Sequence, residues 1–245
     1  MFESYSRYYD LLYKDKDYNA EVQHVLKLFS SHGITGKDLL EFGSGTGQHG
    51  RLLAREGYNV HGIELSQEMV DKTIHISGFT CQQGDIAQVK LGRKYNAVLS
   101  LFHVMSYQVD NSQLQRVFEN ASAHLSNNGL FIFDYWYSPA VYTQRPEVRV
   151  KRLSDKDYEI IRIAEPLIKT EKNRVDVFYN IYIRELKTGK IDVINETHPM
   201  RHFSLPEIHL IAASNGFECV QTEELITKET PSENTWSVCS IFRKL

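Results

Sequence analysis

Three closely spaced glycines are the first residues in this sequence whose type and spacing could serve chemistry. The stretch LLEFGSGTGQHG, residues 39–50, places Gly43, Gly45 and Gly47 directly after an apolar run. Glycine in such a turn lets the backbone come close to a ligand, and a helix that follows offers free N–H groups. Glu64 follows about twenty residues later, where a carboxylate can accept hydrogen bonds from both hydroxyls of a ribose. The pattern predicts a nucleoside site, and its GxGxG spacing differs from the GxGxxG of dehydrogenases.

Alternating helix and strand patterns must position these residues. Helical spacing of apolar residues runs over 18–32, 46–56 and 111–125, and Ser66 is a plausible N-cap for a further helix. Short apolar runs predict five strands: KDLLEFG, YNVHGIEL, FTCQQGD, YNAVLSLF and LFIFDYWY. Strands separated by helices of this length imply right-handed crossovers and a parallel sheet. We therefore predict a doubly wound α/β fold.

A different pattern begins after the fifth strand. From about residue 148 to 201 apolar residues alternate with period two, and the turn stretches SDKD and KTGK are typical of antiparallel hairpins. We predict an antiparallel β insert over 139–202, which roofs a substrate, within a ligand-binding domain formed by 1–138 and 203–245. Ser204 and Glu207 have the spacing of a capping box for a late helix, which two final strands follow.

The composition excludes several classes of protein. The chain has 245 residues and a formal net charge of -3, so it lacks the basic surface typical of nucleic-acid binding. Its three cysteines form no CxxC pair, which favours a reducing compartment and argues against a disulfide framework. No apolar run approaches the length of about 18 residues that a membrane span needs. We expect a cytoplasmic protein that binds neither nucleic acid nor membranes.

The sequence resembles the class I S-adenosylmethionine-dependent methyltransferases. The motifs that carry the resemblance are LLEFGSGTG, GIELSQEMV, GDIAQV, YNAVLSLFHVMSY and LSNNGLFIFD. The family implies a Rossmann-like sheet of seven mostly parallel strands whose last strand is antiparallel. It also implies that Glu41 holds the methionine end of S-adenosyl-L-methionine, Glu64 the ribose and Asp85 the adenine amine. The cofactor contacts implied in this way are Tyr9, Tyr18, Glu41, Gly43, Gly45, Glu64, Leu65, Met69, Asp85, Ile86 and Leu101.

A narrower resemblance is to the N-methyltransferases that act on nucleotide-linked aminosugars. It rests on RYYDLLYKDKDY, LGRKYNAV, FDYWYSP, the antiparallel insert and the RHF before the late helix. In that group a GPSGRG segment supplies an arginine for the sugar nucleotide. Residues 230–235 read TPSENT here, so Asn234 stands where that arginine would be. Arg145, Arg149 or Arg201 would have to replace it if the substrate carries a diphosphate.

Methyl transfer by in-line displacement depends mainly on holding donor and acceptor collinear. An amine acceptor needs little help, whereas a hydroxyl acceptor needs a general base or a metal ion. The loop after strand four supplies His103 and Tyr107 as candidate catalytic residues, positioning the acceptor more than acting as acid or base; a loop histidine that merely satisfies its own hydrogen bonds is the alternative. We assign no metal, because the remaining histidines lack the spacing of a ligand triad.

Aromatic residues at the carboxyl ends of the strands are candidate substrate contacts, although packing would explain them equally well. The candidates are Tyr135, Trp136 and Tyr137, together with His202. Near the start, the tyrosine cluster Tyr5, Tyr8, Tyr9 and Tyr13 predicts either a lid over the cofactor or an anchoring helix.

The sequence motifs are compatible with other functions as well. They are a NAD-dependent oxidoreductase, a non-catalytic S-adenosylmethionine-binding protein, and a methyltransferase for another small amine, hydroxyl or carboxylate. The sequence is compatible with a monomer or a homodimer.

Overall fold

A computed structural model describes residues 12–225 and 227–245 of the chain. Its helices are α1 Tyr18–Ser31, α2 Gln48–Arg55, α3 Gln67–Asp71, α4 Asn111–His124, α5 Ser138–Thr143 and α6 Leu205–Ser214. Its strands are β1 Asp38–Phe42, β2 Asn59–Glu64, β3 Phe79–Gln83, β4 Tyr95–Ser100, β5 Leu125–Tyr137, β6 Arg149–Ser154, β7 Tyr158–Lys169, β8 Arg174–Glu185, β9 Ile191–Phe203, β10 Phe217–Glu224 and β11 Ser237–Lys244. Short 3-10 turns occupy Val104–Tyr107 and Thr170–Lys172.

The central sheet confirms the predicted Rossmann-like architecture. Its order is β3-β2-β1-β4-β5, all parallel, and β11 then pairs antiparallel with both β5 and β10. Because parallel strands point the same way, the segments after β1, β2, β4 and β5 meet at one edge of the sheet, where ligands bind in open α/β folds. The glycine loop follows β1 at this edge, Glu64 is the last residue of β2, and His103 lies in the loop after β4.

Apolar side chains on both faces of the sheet explain why helices cover both sides. Along β1, Leu40 and Phe42 belong to one buried cluster with Leu114 and Phe118 of α4. Leu39, directly before Leu40, belongs to the opposite cluster with residues of α1 and α2. Three of the five residues of β1 are therefore apolar and buried, and they cover both faces, as is typical of a parallel sheet between two layers of helices.

Strands β6 to β9 form the predicted antiparallel insert. They pair in sequence order, with the predicted turns SDKD and KTGK between β6 and β7 and between β8 and β9. Val175, Val177, Ile181 and Ile183 of β8 are buried on one face, as the alternation predicts. The end of β9 runs parallel to the end of β5 and joins the insert to the central sheet. The insert is therefore anchored at the carboxyl edge.

Two local predictions need correction. Ser204 does take the N-cap position of α6, but its side chain makes no capping hydrogen bond. The carboxylate of Glu207 instead accepts a hydrogen bond from Arg201 at 2.6 Å, an ion pair that removes it from the predicted capping box. Strand β5 also begins at Leu125 rather than at residue 130, because Leu125 pairs with Tyr95 directly after α4 ends.

No helix within residues 12–225 and 227–245 is long and apolar enough to cross a membrane.

Candidate active site

The glycine loop between β1 and α2 is held in a left-handed backbone. Gly43, Gly45 and Gly47 have φ values of 72°, 56° and 79°, a region that side chains disfavour. A Cβ atom on Gly43 would lie 2.5 Å from Val104, and one on Gly47 would lie 2.5 Å from Phe79. A Cβ atom on Gly45 would meet nothing within 4 Å. Two of the glycines are thus needed for packing, while Gly45 borders open space at the edge of the sheet.

Glu64, at the end of β2, faces the same loop. Its carboxylate is 7% exposed and accepts hydrogen bonds from the backbone N–H groups of Gly45 and Ser66, both at 2.9 Å. Burial raises the pKa of this carboxyl, and the backbone hydrogen bonds act in the opposite direction. Each carboxylate oxygen can accept a second hydrogen bond. The side chain is therefore oriented by the glycine loop and keeps acceptor capacity for a ribose hydroxyl.

Glu41 supports the loop from beneath. It is 1% exposed, accepts a hydrogen bond from the Ser44 hydroxyl at 2.9 Å, and has one oxygen 3.7 Å from Nδ1 of His49. Burial raises the pKa of this carboxyl. The contacts of this buried carboxylate position the loop, and a contact between Glu41 and the methionine end of the cofactor stays a prediction.

The residues expected around an adenine ring differ in exposure. Leu65 is 66% exposed, directly after Glu64, and offers an apolar surface that a planar ring could cover. Met69, Ile86 and Leu101 are at least 92% buried, so they offer a ligand little surface. Asp85 is half-buried, and its carboxylate accepts a hydrogen bond from the backbone N–H of Ala87 at 2.8 Å. Leu65 and Met69 follow β2, and Asp85 and Ile86 follow β3, on one side of the glycine loop, whereas Leu101 follows β4 on the other side.

His103 forms a close pair with Asp134, a carboxylate that the sequence analysis did not single out. Nδ1 of His103 lies 2.7 Å from Oδ2 of Asp134, and the backbone N–H of His103 donates to both carboxylate oxygens at 3.1 Å. Burial alone would raise the pKa of Asp134, but the charge and hydrogen bonds of His103 hold it below its usual value. The His103 ring is 23% exposed, so Nε2 is the nitrogen that can exchange a proton with a ligand. Asp134 ends the motif LFIFD at the carboxyl edge, a signal that could have identified it.

The loop that carries His103 also packs on the glycine loop. Val104 fills the space that a side chain on Gly43 would need, and His103 itself has a φ of 62°. The backbone N–H of Trp136 donates to the Ser106 hydroxyl at 3.0 Å and ties the same loop to β5. Positive φ in a non-glycine residue is uncommon and is held here by surrounding contacts. The His103–Asp134 pair is thereby kept beside the glycine loop.

Tyr107 belongs to a series of hydrogen-bonded side chains that extends into the insert. Its hydroxyl lies 2.8 Å from Nδ1 of His198 on β9, and Nε2 of His198 lies 2.9 Å from Glu196. Burial raises the pKa of Tyr107 well above its ordinary value, so the phenol stays neutral. A neutral phenol donates to Nδ1, which leaves the Nε2–H of His198 to donate to Glu196. His198 is brought to Tyr107 by the pairing of β9 with β8. The linear sequence carries no signal for this series of hydrogen bonds.

Two of the three aromatic candidates have side chains exposed enough for contact with a ligand, and the third is buried. Trp136 and Tyr137 are partly exposed, and the Trp136 ring lies 6.4 Å from the His103 ring. Tyr135 is fully buried, and its hydroxyl lies 3.0 Å from that of Ser240. The prediction that Tyr135 contacts substrate is therefore wrong, because its side chain points into the core.

His202 is likewise corrected from substrate contact to structural residue. It has no exposed surface, and its Nδ1 lies 2.8 Å from the Ser138 hydroxyl. Burial, together with the charge of Arg201, lowers the pKa of His202 to about 4. The ring is therefore neutral at pH 7 and joins the end of β9 to the start of α5.

The low pKa of His202 predicts a stability that depends on pH. An unfolded histidine titrates near 6.5, so its contribution to folding is complete above that pH and is lost as the pH falls towards 4. In His202→Asn the amide oxygen can replace Nδ1 as the partner of Ser138. Between about pH 7.5 and about pH 4.5, we expect the stability advantage of the wild type over this variant to fall by about 2–3 kcal/mol. Urea unfolding at both pH values measures this, and an unchanged difference would contradict the assignment.

Of the arginines considered for a diphosphate, Arg201 is already engaged. Its guanidinium donates to Asn111 at 2.7 Å and to Glu207 at 2.6 Å, and the residue is 8% exposed. Arg145 and Arg149 are exposed. Asn234, at the position of the group's arginine, has a backbone carbonyl that accepts a hydrogen bond from Gln144 at 2.9 Å.

The predicted tyrosine cluster is only partly described. Tyr5, Tyr8 and Tyr9 lie outside the described residues. The Tyr13 ring contacts Phe102 edge to face with centroids 5.0 Å apart, and Tyr18 contacts His49 in the same way at 5.0 Å. The segment that leads into α1 therefore lies over the loops that follow β1 and β4.

Across 12–225 and 227–245, no group of three or more His, Cys, Asp or Glu side chains is arranged to hold a metal ion. The residues present fit S-adenosyl-L-methionine instead. A glycine with open space above it, a carboxylate with acceptor capacity and an exposed leucine follow one another along β1 and β2.

Comparison with known proteins agrees with this geometry. Residues 15–222 match the family model described as a methyltransferase domain. The dTDP-3-amino-3,4,6-trideoxy-alpha-D-glucopyranose N,N-dimethyltransferase of Streptomyces venezuelae is 27% identical over 206 residues, which cover 83% of this chain and 81% of that protein.

Solved structures share the fold. The sugar N-methyltransferase KedS8 from Streptoalloteichus sp. superposes with a TM-score of 0.82 at 20% identity, covering 97% of this chain and 93% of that one. An S-adenosylmethionine-dependent methyltransferase from Clostridium acetobutylicum superposes with a TM-score of 0.81 at 17% identity, covering 97% and 96%. The chain thus belongs to the methyltransferase domain family, and it is an S-adenosylmethionine-dependent methyltransferase.

Proposed function

We propose that this methyltransferase acts on the amine of a nucleotide-linked aminodeoxysugar. The observation that carries the proposal is the His103–Asp134 pair, held beside the glycine loop by Val104, which can take up the proton that an amine releases when it is methylated. The Streptomyces venezuelae relative is named for the N,N-dimethylation of a dTDP-aminosugar, and a Streptomyces fradiae relative, 27% identical over 181 residues, is named for that of another. Both names agree with an amine acceptor.

Glu64 and the backbone around Gly45 would hold the nucleoside part of the cofactor, and Leu65 would cover its base. Tyr9, Tyr18, Gly43 and Asp85 remain proposed contacts of the same ligand. When bound, S-adenosyl-L-methionine supplies a methyl group attached to a positively charged sulfur, which makes the methyl carbon electrophilic. The protein must then align the acceptor with the methyl carbon and accept the proton that the acceptor releases.

His103 is the residue proposed to accept that proton. Asp134 orients the ring through Nδ1, so Nε2 can accept a proton from the acceptor nitrogen. The ionised carboxylate of Asp134 also stabilises the imidazolium that forms. Tyr107, whose hydroxyl is directed by His198, is the residue proposed to position the acceptor.

The insert over residues 139–202 is proposed to roof the acceptor. Its four long antiparallel strands, and the partly exposed rings of Trp136 and Tyr137, suit a ligand larger than a free amino acid. With Asn234 in place of arginine and Arg201 engaged elsewhere, Arg145 and Arg149 are the proposed partners of a diphosphate. We expect weaker binding of the nucleotide than an arginine at position 234 would give.

A panel of thymidine- and uridine-diphosphate aminosugars tests the proposal by release of S-adenosylhomocysteine. We expect turnover with at least one member. No turnover across the panel, together with turnover of a small amine or carboxylate, would contradict the aminosugar assignment and leave the methyltransferase assignment intact.

A further inference from the structure

The hydrogen-bonded series Tyr107–His198–Glu196 lies almost entirely out of contact with water. The side chains of His198 and Glu196 are only 3% and 11% exposed. The Tyr179 ring packs edge to face against the His198 ring, with centroids 4.8 Å apart. Polar groups are costly to bury unless they are hydrogen-bonded, and both nitrogens of His198 have a partner, the Tyr107 hydroxyl at 2.8 Å and Glu196 at 2.9 Å. The imidazole is therefore held in one orientation between the insert and the loop after β4.

The chemistry of the three groups fixes the direction of both hydrogen bonds. A carboxylate only accepts hydrogen bonds, so the proton of a neutral His198 ring lies on Nε2 and Nδ1 becomes an acceptor. The hydroxyl of Tyr107 then donates its one proton to Nδ1. Burial raises the pKa of Tyr107 well above its ordinary value, so this proton is kept at neutral pH. Towards any further group, the oxygen of Tyr107 can act only as an acceptor.

Tyr107 belongs to the region that the methyl acceptor must enter. It is partly exposed and shares the loop after β4 with His103. Tyr107 and Trp136 pack against the same apolar cluster, and the Trp136 ring lies 6.4 Å from the His103 ring. The negative charge of Glu64 also contributes to the high pKa of Tyr107, so the phenol lies within electrostatic range of the carboxylate proposed for the ribose.

An amine acceptor carries the donors that this oxygen requires. A primary amine has two N–H groups and one lone pair. The lone pair forms the new N–C bond while the C–S bond of the donor breaks, and the electrons of that bond stay on sulfur. The nitrogen becomes an ammonium and passes one proton to Nε2 of His103. Its second N–H remains available for a hydrogen bond to the oxygen of Tyr107.

We infer that His198 and Glu196 are positioning residues that hold the Tyr107 phenol in the orientation which accepts a hydrogen bond from the acceptor amine. The inference rests on the proposed amine acceptor. Because the nitrogen gains positive charge as the N–C bond forms, this hydrogen bond is stronger in the transition state than in the ground state. The series therefore contributes to kcat more than to KM.

The number of N–H groups on the acceptor gives the inference a specific consequence. A monomethylated amine has only one N–H, and that proton must face His103 because it is the one that leaves. The oxygen of Tyr107 then has no N–H to accept. The series should therefore accelerate the first methylation and contribute little to a second one.

Steady-state kinetics with a thymidine-diphosphate aminosugar and with its N-monomethyl derivative test this consequence. Glu196→Gln keeps the shape of the side chain but removes the charge that sets the proton on Nε2 of His198. With the primary amine we expect kcat to fall about 10-fold while KM stays within about twofold. With the monomethyl amine kcat should fall less than about twofold. Tyr107→Phe should give the same pattern, and the double variant should be no slower than either single one.

A matched control and a measurement without turnover complete the test. Glu165→Gln, at an exposed carboxylate on the other face of the insert, should leave both reactions unchanged. Nitrogen-15 NMR of the histidine-labelled protein reports which nitrogen of His198 carries the proton, and the signals missing in His198→Asn assign it. We expect the proton on Nε2 in the wild type.

Equal losses of kcat with the two acceptors, or no loss with either, would overturn the inference and leave the proposed function intact. A proton on Nδ1 of His198 in the wild type would overturn it as well, whatever the kinetics. Absence of turnover of both aminosugars by the wild type would contradict the proposed function, and the inference would fail with it.

Discussion

Gly45→Ala should leave the protein folded but lower its affinity for S-adenosyl-L-methionine on the order of 100-fold. At a φ of 56° alanine is strained by roughly 1–2 kcal/mol, which a domain of this size can tolerate. Nothing in the protein lies within 4 Å of the added methyl group, so it clashes only with a ligand that approaches the loop. Calorimetric titration with the cofactor, together with thermal unfolding of the free protein, measures both effects.

Gly57→Ala is the matched control for this prediction. Gly57 follows α2, has a φ of 84°, and would also place its Cβ atom in open space, but away from the glycine loop. The two variants should lose similar stability, whereas only Gly45→Ala should lose cofactor affinity. Equal affinities in the two variants would show that the cofactor does not approach Gly45.

Removing either member of the His103–Asp134 pair should lower kcat about 100-fold while leaving the affinity for the cofactor within about twofold. His103→Asn is preferred to alanine because asparagine tolerates the positive φ of 62°. Asp134→Asn keeps the shape of the side chain but removes the charge that orients and stabilises the His103 ring. Single-turnover rates at saturating cofactor and acceptor measure the loss.

The double variant distinguishes a pair from two independent residues. If His103 and Asp134 act as one unit, the double variant should be about as slow as either single variant. His75→Asn, at an exposed histidine in the loop after α3, should have no effect. Losses that multiply in the double variant would contradict the pairing. A loss beyond about 10⁴-fold in His103→Asn would exceed the usual range of general acid–base catalysis and would favour a hydroxyl acceptor over an amine.

The sequence is informative about the fold because its signals are local. The apolar run before Gly43 and the alternation along β8 each depend on neighbours in the chain. A buried strand or the apolar face of a sheet can therefore be predicted before any tertiary contact is known. The antiparallel final strand came from the family resemblance rather than from spacing, and the structure confirms it.

The candidate site was less predictable because its side chains meet across long sequence separations. Asp134 reaches His103 from the next strand, and His198 reaches Tyr107 from the insert. Strand alternation also does not say which face carries the ligand, so Tyr135 was assigned to the substrate although it points into the core. Glu207 had the spacing of a capping box, but Arg201 offered a stronger partner.

The most direct test of the account compares two nucleotide sugars that differ in one atom. A thymidine-diphosphate aminosugar and its analogue with a hydroxyl in place of the amine are each incubated with the enzyme and a donor that carries an isotopically labelled methyl group. Mass spectrometry then locates the label. We expect one or two labelled methyl groups on the nitrogen of the aminosugar and none on the hydroxyl analogue. Label on the hydroxyl analogue, or on neither sugar while the enzyme binds the donor, would contradict the account.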